Sequence, residues 1–217
     1  TWYLAAVNPG FVRSDFALAI AHFSPNGQLV IDRLERWRGT KKTPVDFEST
    51  CKQVVAILRD YDINSLWGDQ YCAPIITQEL EKHGIRYEQF TFDWNSRPRI
   101  FGNLKHLLNQ RKIELPDDVE LLRQLRSLDE KKTNPGQVNV RPSGKARDDL
   151  AVAMALATYQ LVQRPPMSST LQLGIVERHN GLHLIPERCP VASVCGNFPR
   201  CLDIGYCQDF KDERVST

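Results

Sequence analysis

"TWYLAAVNPGFVRSDFALAIAHFSPNGQLVIDRLERW", residues 1–37, sets three apolar runs around two turn signals, and that pattern decides the fold. "TWYLAAV" is apolar and is stopped by Asn8-Pro9-Gly10, so it reads as a mid-sheet strand. It has neither the basic n-region nor the cleavage site of a signal peptide. "DFALAIAHF", the turn "SPNG" and "QLVIDRLERW" read as two paired strands, which makes the first three strands an antiparallel meander. The period then changes. In "TPVDFESTCKQVVAILRDY", Phe47, Cys51, Val54, Val55 and Leu58 recur at helical spacing, with Thr43 as the expected cap and Pro44 at the first helical position. "INSLWGDQ", "APIITQELEKHG" and "IRYEQFTF" follow as strand, helix and strand. "RIFGNLKHLLNQR" is a helix, "IELP" a short strand and "DVELLRQLRSL" a helix. A polar stretch, "DEKKTNPGQVNVRPSGK", then leads to a last helix in "DDLAVAMALATYQL". The order predicts an α/β fold whose mixed central sheet, a three-strand meander followed by parallel strands, is flanked by helices.

The chain of 217 residues is long enough for one well-buried core with a small annex. Its 41% hydrophobic and 25% charged content is that of a soluble globular protein, and its apolar runs fall short of the ~18 residues of a membrane span. A start at Thr1 without Met is expected of a fragment. A net charge of +2 neither demands nor excludes a polyanionic partner. "QRPPMSST" breaks the composition after the last helix, so the expected organisation is a domain over 1–164, a linker and short extension over 165–188, and a Cys-rich tail over 189–217. In that tail Cys189, Cys195, Cys201 and Cys207 stand with five residues between each pair. Four thiolates suit tetrahedral Zn²⁺ in a reducing compartment. An iron–sulfur cluster or free thiols are the alternatives, with His179 and His183 as substitute ligands.

Chemistry points to three element ends. Asp148 and Asp149 open the last helix, where carboxylates gain roughly 0.3–1 kcal/mol from the helix dipole without any other role. Neighbouring helical residues project about 100° apart, so one of the pair can face a site while the other caps or braces. Asp69 ends a strand, the place where open α/β sheets bind their ligands. The third natural donor, at the end of the first strand, is Asn8. A carboxylate there would complete an oxygen-rich site for Mg²⁺ or Mn²⁺, and two such ions ~3.5–4 Å apart support phosphodiester hydrolysis. Asparagine offers a neutral carbonyl instead.

The set "VNPGFVRSDFALAIAHF", "LWGDQY", "IELPDDVELLRQLRSL" and "RDDLAVAMALA", in this order and over residues 2–163, resembles the nuclease domain of the large terminase subunit of tailed bacteriophages. The resemblance implies an RNase H-like fold and a two-ion endonuclease that cuts double-stranded DNA during viral genome packaging. It implies an ATPase motor domain, a portal and a small terminase subunit as partners, no membrane, and the cytoplasm of the infected host as location. Carried over by position, Asp69 matches the acid after the fourth strand, and Asp148 and Asp149 match the acid pair, with Asp149 favoured as the metal ligand. Two positions depart from the pattern: Asn8 replaces the usual aspartate, and Arg147 stands where histidine often precedes the pair. Asn8 lowers the charge of the site, so metal affinity and rate should fall. Three accounts stand open: a substitution introduced to trap DNA, a naturally weakened nuclease, or assistance from Asp15, which is expected to start the second strand facing solvent.

Lys131, Lys132, Arg141, Lys145 and Arg147 flank the loop before the acid pair and are the expected DNA contacts. A second basic group, Arg97, Arg99, Lys105, Arg111 and Lys112, reads as solvated helix surface. No GxxxxGK[ST] phosphate loop occurs, which excludes ATP hydrolysis by that route. The rivals are a non-catalytic DNA-binding or assembly module of the same fold, and an RNase H-like enzyme of resolvase or transposase type.

Overall fold

A computed structural model of the chain describes residues 1–164 apart from Arg13, Trp94, Pro135, Gly136 and Lys145, with the side chains of residues 132–137 also outside the description. Eight strands and five helices are described: β1 (Tyr3–Asn8), β2 (Phe16–Phe23), β3 (Leu29–Trp37), α1 (Phe47–Asp60), β4 (Ser65–Asp69), α2 (Ala73–Glu81) and β5 (Arg86–Phe90), then α3 (Ser96–Asn109), β6 (Ile113–Glu114), α4 (Val119–Arg126), β7 (Leu128–Asn134), β8 (Gln137–Pro142) and α5 (Asp149–Gln163). Six strands form one sheet in the order β5-β4-β1-β2-β3-β6. β1, β2 and β3 pair antiparallel, as the two turn signals require, while β4 joins β1, β5 joins β4 and β6 joins β3 in parallel.

Both faces of this sheet are covered. Alternate residues of β1 separate them: Leu4 and Ala6 pack toward α3, α4 and α5, whereas Ala5 and Val7 pack toward α1 and α2. Every residue of α5 except Tyr159, Val162 and Gln163 is buried. Its alanines, from Ala151 to Ala157, face Ala17, Ala19 and Ala21 of β2 within one core, and small residues on both sides let the helix lie close to the sheet. Fully burying Met154 and Leu156 contributes about 1.5–3 kcal/mol each.

Two local expectations are corrected. α1 is capped by Asp46, whose carboxylate accepts the Ser49 amide at 3.0 Å, and not by Thr43. The reason is tertiary: the Val45 amide donates to the Phe11 carbonyl at 2.8 Å, which keeps residues 44–45 out of the helix. The polar stretch after α4 is not a bare connection but the hairpin β7-β8. Its strand β8 sets Val138 and Val140 two apart, and among the described residues Val140 is buried while Leu128 of β7 packs partly buried against the core.

The start of α5 lies inside the protein, so its free amides need partners. Asp148 holds the cap position yet makes no side-chain cap bond. Gln124 of α4 supplies the cap instead. It is fully buried, its Oε1 accepts the amides of Leu150 at 2.9 Å and Ala151 at 3.2 Å, and its Nε2 donates to Glu120 at 3.0 Å. Gln124→Met, which keeps the volume and removes the acceptor, should lower the unfolding free energy by roughly 2–4 kcal/mol in urea denaturation at an unchanged m-value, because two buried donors are orphaned. A loss under about 1 kcal/mol would show that α5 does not depend on this cap.

Candidate active site

The pleat brings Asn8 and Asp69 to one place. Asn8 follows Leu4 and Ala6, and Asp69 follows Trp67, on the face of the sheet that α5 covers. β1 and β4 run parallel with Val7 beside Gly68, so their next residues end adjacent strands on the same side. Trp67 is a core residue, buried in its strand. Gly68 is needed because a Cβ there would lie 2.1 Å from the Tyr87 hydroxyl. That hydroxyl donates to the Asp69 carbonyl at 2.8 Å and fixes the strand end. Asp69 Oδ1 accepts the Tyr71 amide at 3.1 Å. Burial raises its carboxyl above the usual range, against the amides of Tyr71 and Gln70.

Asp149 completes the group from the mouth of α5. Asn8 Nδ2 donates to Asp149 Oδ1 at 3.0 Å, and the Asp15 amide donates to Oδ2 at 3.0 Å. Asp149 is only 4% exposed. Burial pushes its carboxyl up to about 6, with the charges of Asp15 and Asp148 adding to the rise and the Asp15 amide and Arg147 opposing it. The loop after β1 supplies the geometry: a Cβ on Gly10 would lie 2.4 Å from Ser14 Oγ and 2.5 Å from the Asp15 carbonyl, so the chain folds back onto a glycine.

Asp15 does not face solvent, contrary to the expectation from its sequence position. It is fully buried, pairs with Arg147, and lies 3.7 Å from Arg36, which in turn sits 3.0 Å from Glu120. A carboxylate buried at a strand start requires these cations, and their distant positions in sequence hid the arrangement. Arg147, expected as a DNA contact, pairs with Asp15 and donates to the Gly39 carbonyl at 3.4 Å, with its side chain 34% exposed.

Asp148 is directed elsewhere. It pairs with Arg97, whose Nε donates to the Val140 carbonyl at 2.6 Å and whose guanidinium lies 5.1 Å from the centre of the Phe101 ring. Asn8, Asp69, Asp93, Arg97, Asn139 and Arg141 line one cleft of about 380 Å³, and Asp149 joins it through its hydrogen bond to Asn8. Among the described residues, no three His, Cys, Asp or Glu side chains gather into a metal-holding cluster. Of the other expected DNA contacts Arg141 stands at the cleft and Lys131 is exposed on β7. The side chains of Lys132 and Lys145 lie outside the described residues, as do Cys189, Cys195, Cys201 and Cys207. Asp93 and Asn139 are cleft residues that sequence reasoning passed over, and Arg97 was weighed only as one of a basic group. A signal did exist: Arg97 stands in the first turn of α3, where the helix dipole disfavours a cation.

No family model matches the chain. A stretch of 101 residues, 46% of the chain, is 28% identical to the large terminase subunit of Thermus phage G20c, and the match spans 20% of that relative. The crystal structure of the large terminase nuclease from the same phage aligns with a TM-score of 0.63 at 22% identity, covering 73% of this chain and 81% of that one. The fold is that of a phage large-terminase nuclease. A structure of that nuclease with bound magnesium aligns at a TM-score of 0.62, with 22% identity over 73% of this chain and 80% of that chain. The HK97 bacteriophage large terminase aligns at 0.62 with 15% identity, over 72% of this chain and 38% of that chain. The mixed six-strand sheet between two helical layers is accordingly RNase H-like. No described helix is long and apolar enough to cross a membrane.

Because the folded pKa of Asp149 lies above that of an unfolded aspartate, the folded state holds the proton more tightly. Its contribution is greatest below about pH 4 and is lost as the pH rises through about 6. In metal-free buffer, Asp149→Asn should therefore gain stability relative to the parent over this interval, by up to about 3 kcal/mol at pH 7. Urea denaturation of both proteins between about pH 4 and about pH 7 checks this; parallel pH profiles would show that Asp149 ionises freely.

Proposed function

We propose that this cleft hydrolyses phosphodiester bonds of double-stranded DNA with the help of divalent ions, as the nuclease part of a viral genome-packaging machine, and that Asn8 weakens it. One observation carries the reading: Asn8 and Asp69, at the ends of adjacent parallel strands, line one cleft, and Asn8 is hydrogen-bonded to the helix-mouth acid Asp149. The donors are all carboxylate or amide oxygens, which suits a hard ion such as Mg²⁺ or Mn²⁺. Asp69 and Asp149 would hold it, with the Asn8 carbonyl as a weak third donor. Such ions supply a water nucleophile and neutralise charge at the leaving oxygen. Magnesium and cobalt in neighbouring terminase nuclease structures support this assignment.

Asn8 does more than remove a charge. Its amide donates a hydrogen bond to Asp149 Oδ1, so an oxygen that a cation would take already has a partner. An aspartate at position 8 would instead place two carboxylates in contact, an arrangement that a cation relieves. The same observation favours a second reading, a DNA-binding or assembly module that has lost turnover. An ATPase motor domain, a portal and a small terminase subunit belong to the packaging reading, as does the host cytoplasm. The proposed organisation is a nuclease domain over 1–164, a linker over 165–188 and a zinc-holding tail over 189–217.

Plasmid nicking with Mn²⁺ separates the readings. Asn8→Asp should bind Mn²⁺ at least about tenfold more tightly and nick at least about tenfold faster than the parent, since one charge is restored to the site. Asp69→Ala on that background should abolish nicking. Inactivity of Asn8→Asp with unchanged Mn²⁺ affinity leaves the module reading standing. Comparing linear duplex with branched DNA and RNA hybrids tests the substrate class. For the tail, the purified chain should carry about one zinc, and Cys195→Ser with Cys201→Ser should remove it. Equal zinc in both would discard the tail site.

A further inference from the structure

One cation in the cleft has no part in holding divalent ions. Arg97 shares that cleft with Asn8 and Asp69, and its charge is paired with the half-buried Asp148. It is held at three points: Nε on the Val140 carbonyl of β8, Nη2 on Asp148, and the guanidinium face over Phe101. These fix the plane of the group while its side chain stays 23% exposed. Nη1 has no hydrogen-bond acceptor among the described residues, although two N–H groups project from it. The residue also rises from the first turn of a 14-residue helix, whose dipole disfavours a cation there, and Asp93, which accepts the Asn95 and Ser96 amides at 2.9 and 2.6 Å, already supplies the anion at that helix start. A guanidinium locked in plane, with an open donor edge toward a cleft lined by a strand-end acid, matches a phosphate by fork geometry.

We propose that Arg97 grips a phosphate of the DNA strand lying in the cleft, and that Asp148 is its orienting counter-charge rather than a metal ligand. This rests on the nuclease reading for the identity of the cleft, but makes a separate claim. The two acids of the pair then have different roles, because Asp149 turns to Asn8 and Asp148 turns to Arg97. The hairpin strand β8 also acquires a role, since the Val140 carbonyl is one of the three supports and Arg141, the next residue, lines the same cleft.

The test uses the full chain and a linear DNA duplex in EDTA, with binding measured over a range of salt. Arg97→Met, which keeps the apolar stem over Phe101, should lower the slope of log affinity against log salt by about one, the signature of one lost phosphate contact. Arg97→Lys should keep that slope. On the Asn8→Asp background Arg97→Lys should turn over more slowly, with kcat falling more than KM changes, because the ammonium cannot reproduce the fork. Asp148→Asn should leave Mn²⁺ affinity as it was while strengthening duplex binding, whereas Asp149→Asn should weaken Mn²⁺ affinity at least about tenfold.

An unchanged salt slope in Arg97→Met overturns the grip. A Mn²⁺ loss in Asp148→Asn equal to that of Asp149→Asn makes Asp148 a ligand and overturns the separation of roles. Should Arg97→Met fail to fold by circular dichroism, the lysine variant and Asp148→Asn decide alone. Should Asn8→Asp never nick DNA while the slope still depends on Arg97, the nuclease reading fails and the phosphate grip survives.

Discussion

Helix α5 begins inside the molecule, and the rest of the site follows from that constraint. A helix apolar around nearly its whole circumference must be buried, and its first turn then carries free amides and a positive dipole end into a largely buried place. Gln124 satisfies two of the amides from a different helix. The two acids at the mouth are thereby released from capping, which is what carboxylates at a helix start ordinarily do. Each acquires a partner from a distant part of the chain: Asn8 and the Asp15 amide for Asp149, Arg97 for Asp148.

Burial also sets the electrostatic character of the place. Asp149 is desolvated and sits among other carboxylates, so its charge is costly without a compensating donor or cation. The Asn8 amide is one such donor. Asparagine at the end of β1 thus has a structural consequence: its side-chain amide is hydrogen-bonded to the helix-mouth acid. Behind that acid, Arg147 and Arg36 neutralise Asp15, and Glu120 neutralises Arg36, so the charges alternate in sign from the loop after β1 to α4.

Much of the architecture was legible because it rests on local chemistry. Turn residues at 8–10 and 24–27 mark the meander, and helical spacing from Phe47 to Leu58 marks α1. The β7-β8 hairpin was not legible, since "DEKKTN" is polar throughout in sequence and the ribbon is held through Leu128, Val140 and a backbone carbonyl that accepts from Arg97. Within the site, Asp69 and the acid pair stand out by their place at element ends. Asp15 does not, because the pleat alone cannot say whether a strand's first residue meets solvent or a buried arginine.

By itself, then, the sequence determined the period and order of the strands and helices up to α4 and of α5, and which acids end up at the mouths of elements, since these depend on residues within a few positions of one another. Only the tertiary structure decided what each charge pairs with: Asp149 with Asn8, Asp148 with Arg97, Arg147 with Asp15. The physical reason is range. Pleat and helix pitch are fixed by neighbouring peptide units, whereas a buried ion's partner is whichever opposite charge the completed core leaves within about 4 Å of it, however far along the chain it stands.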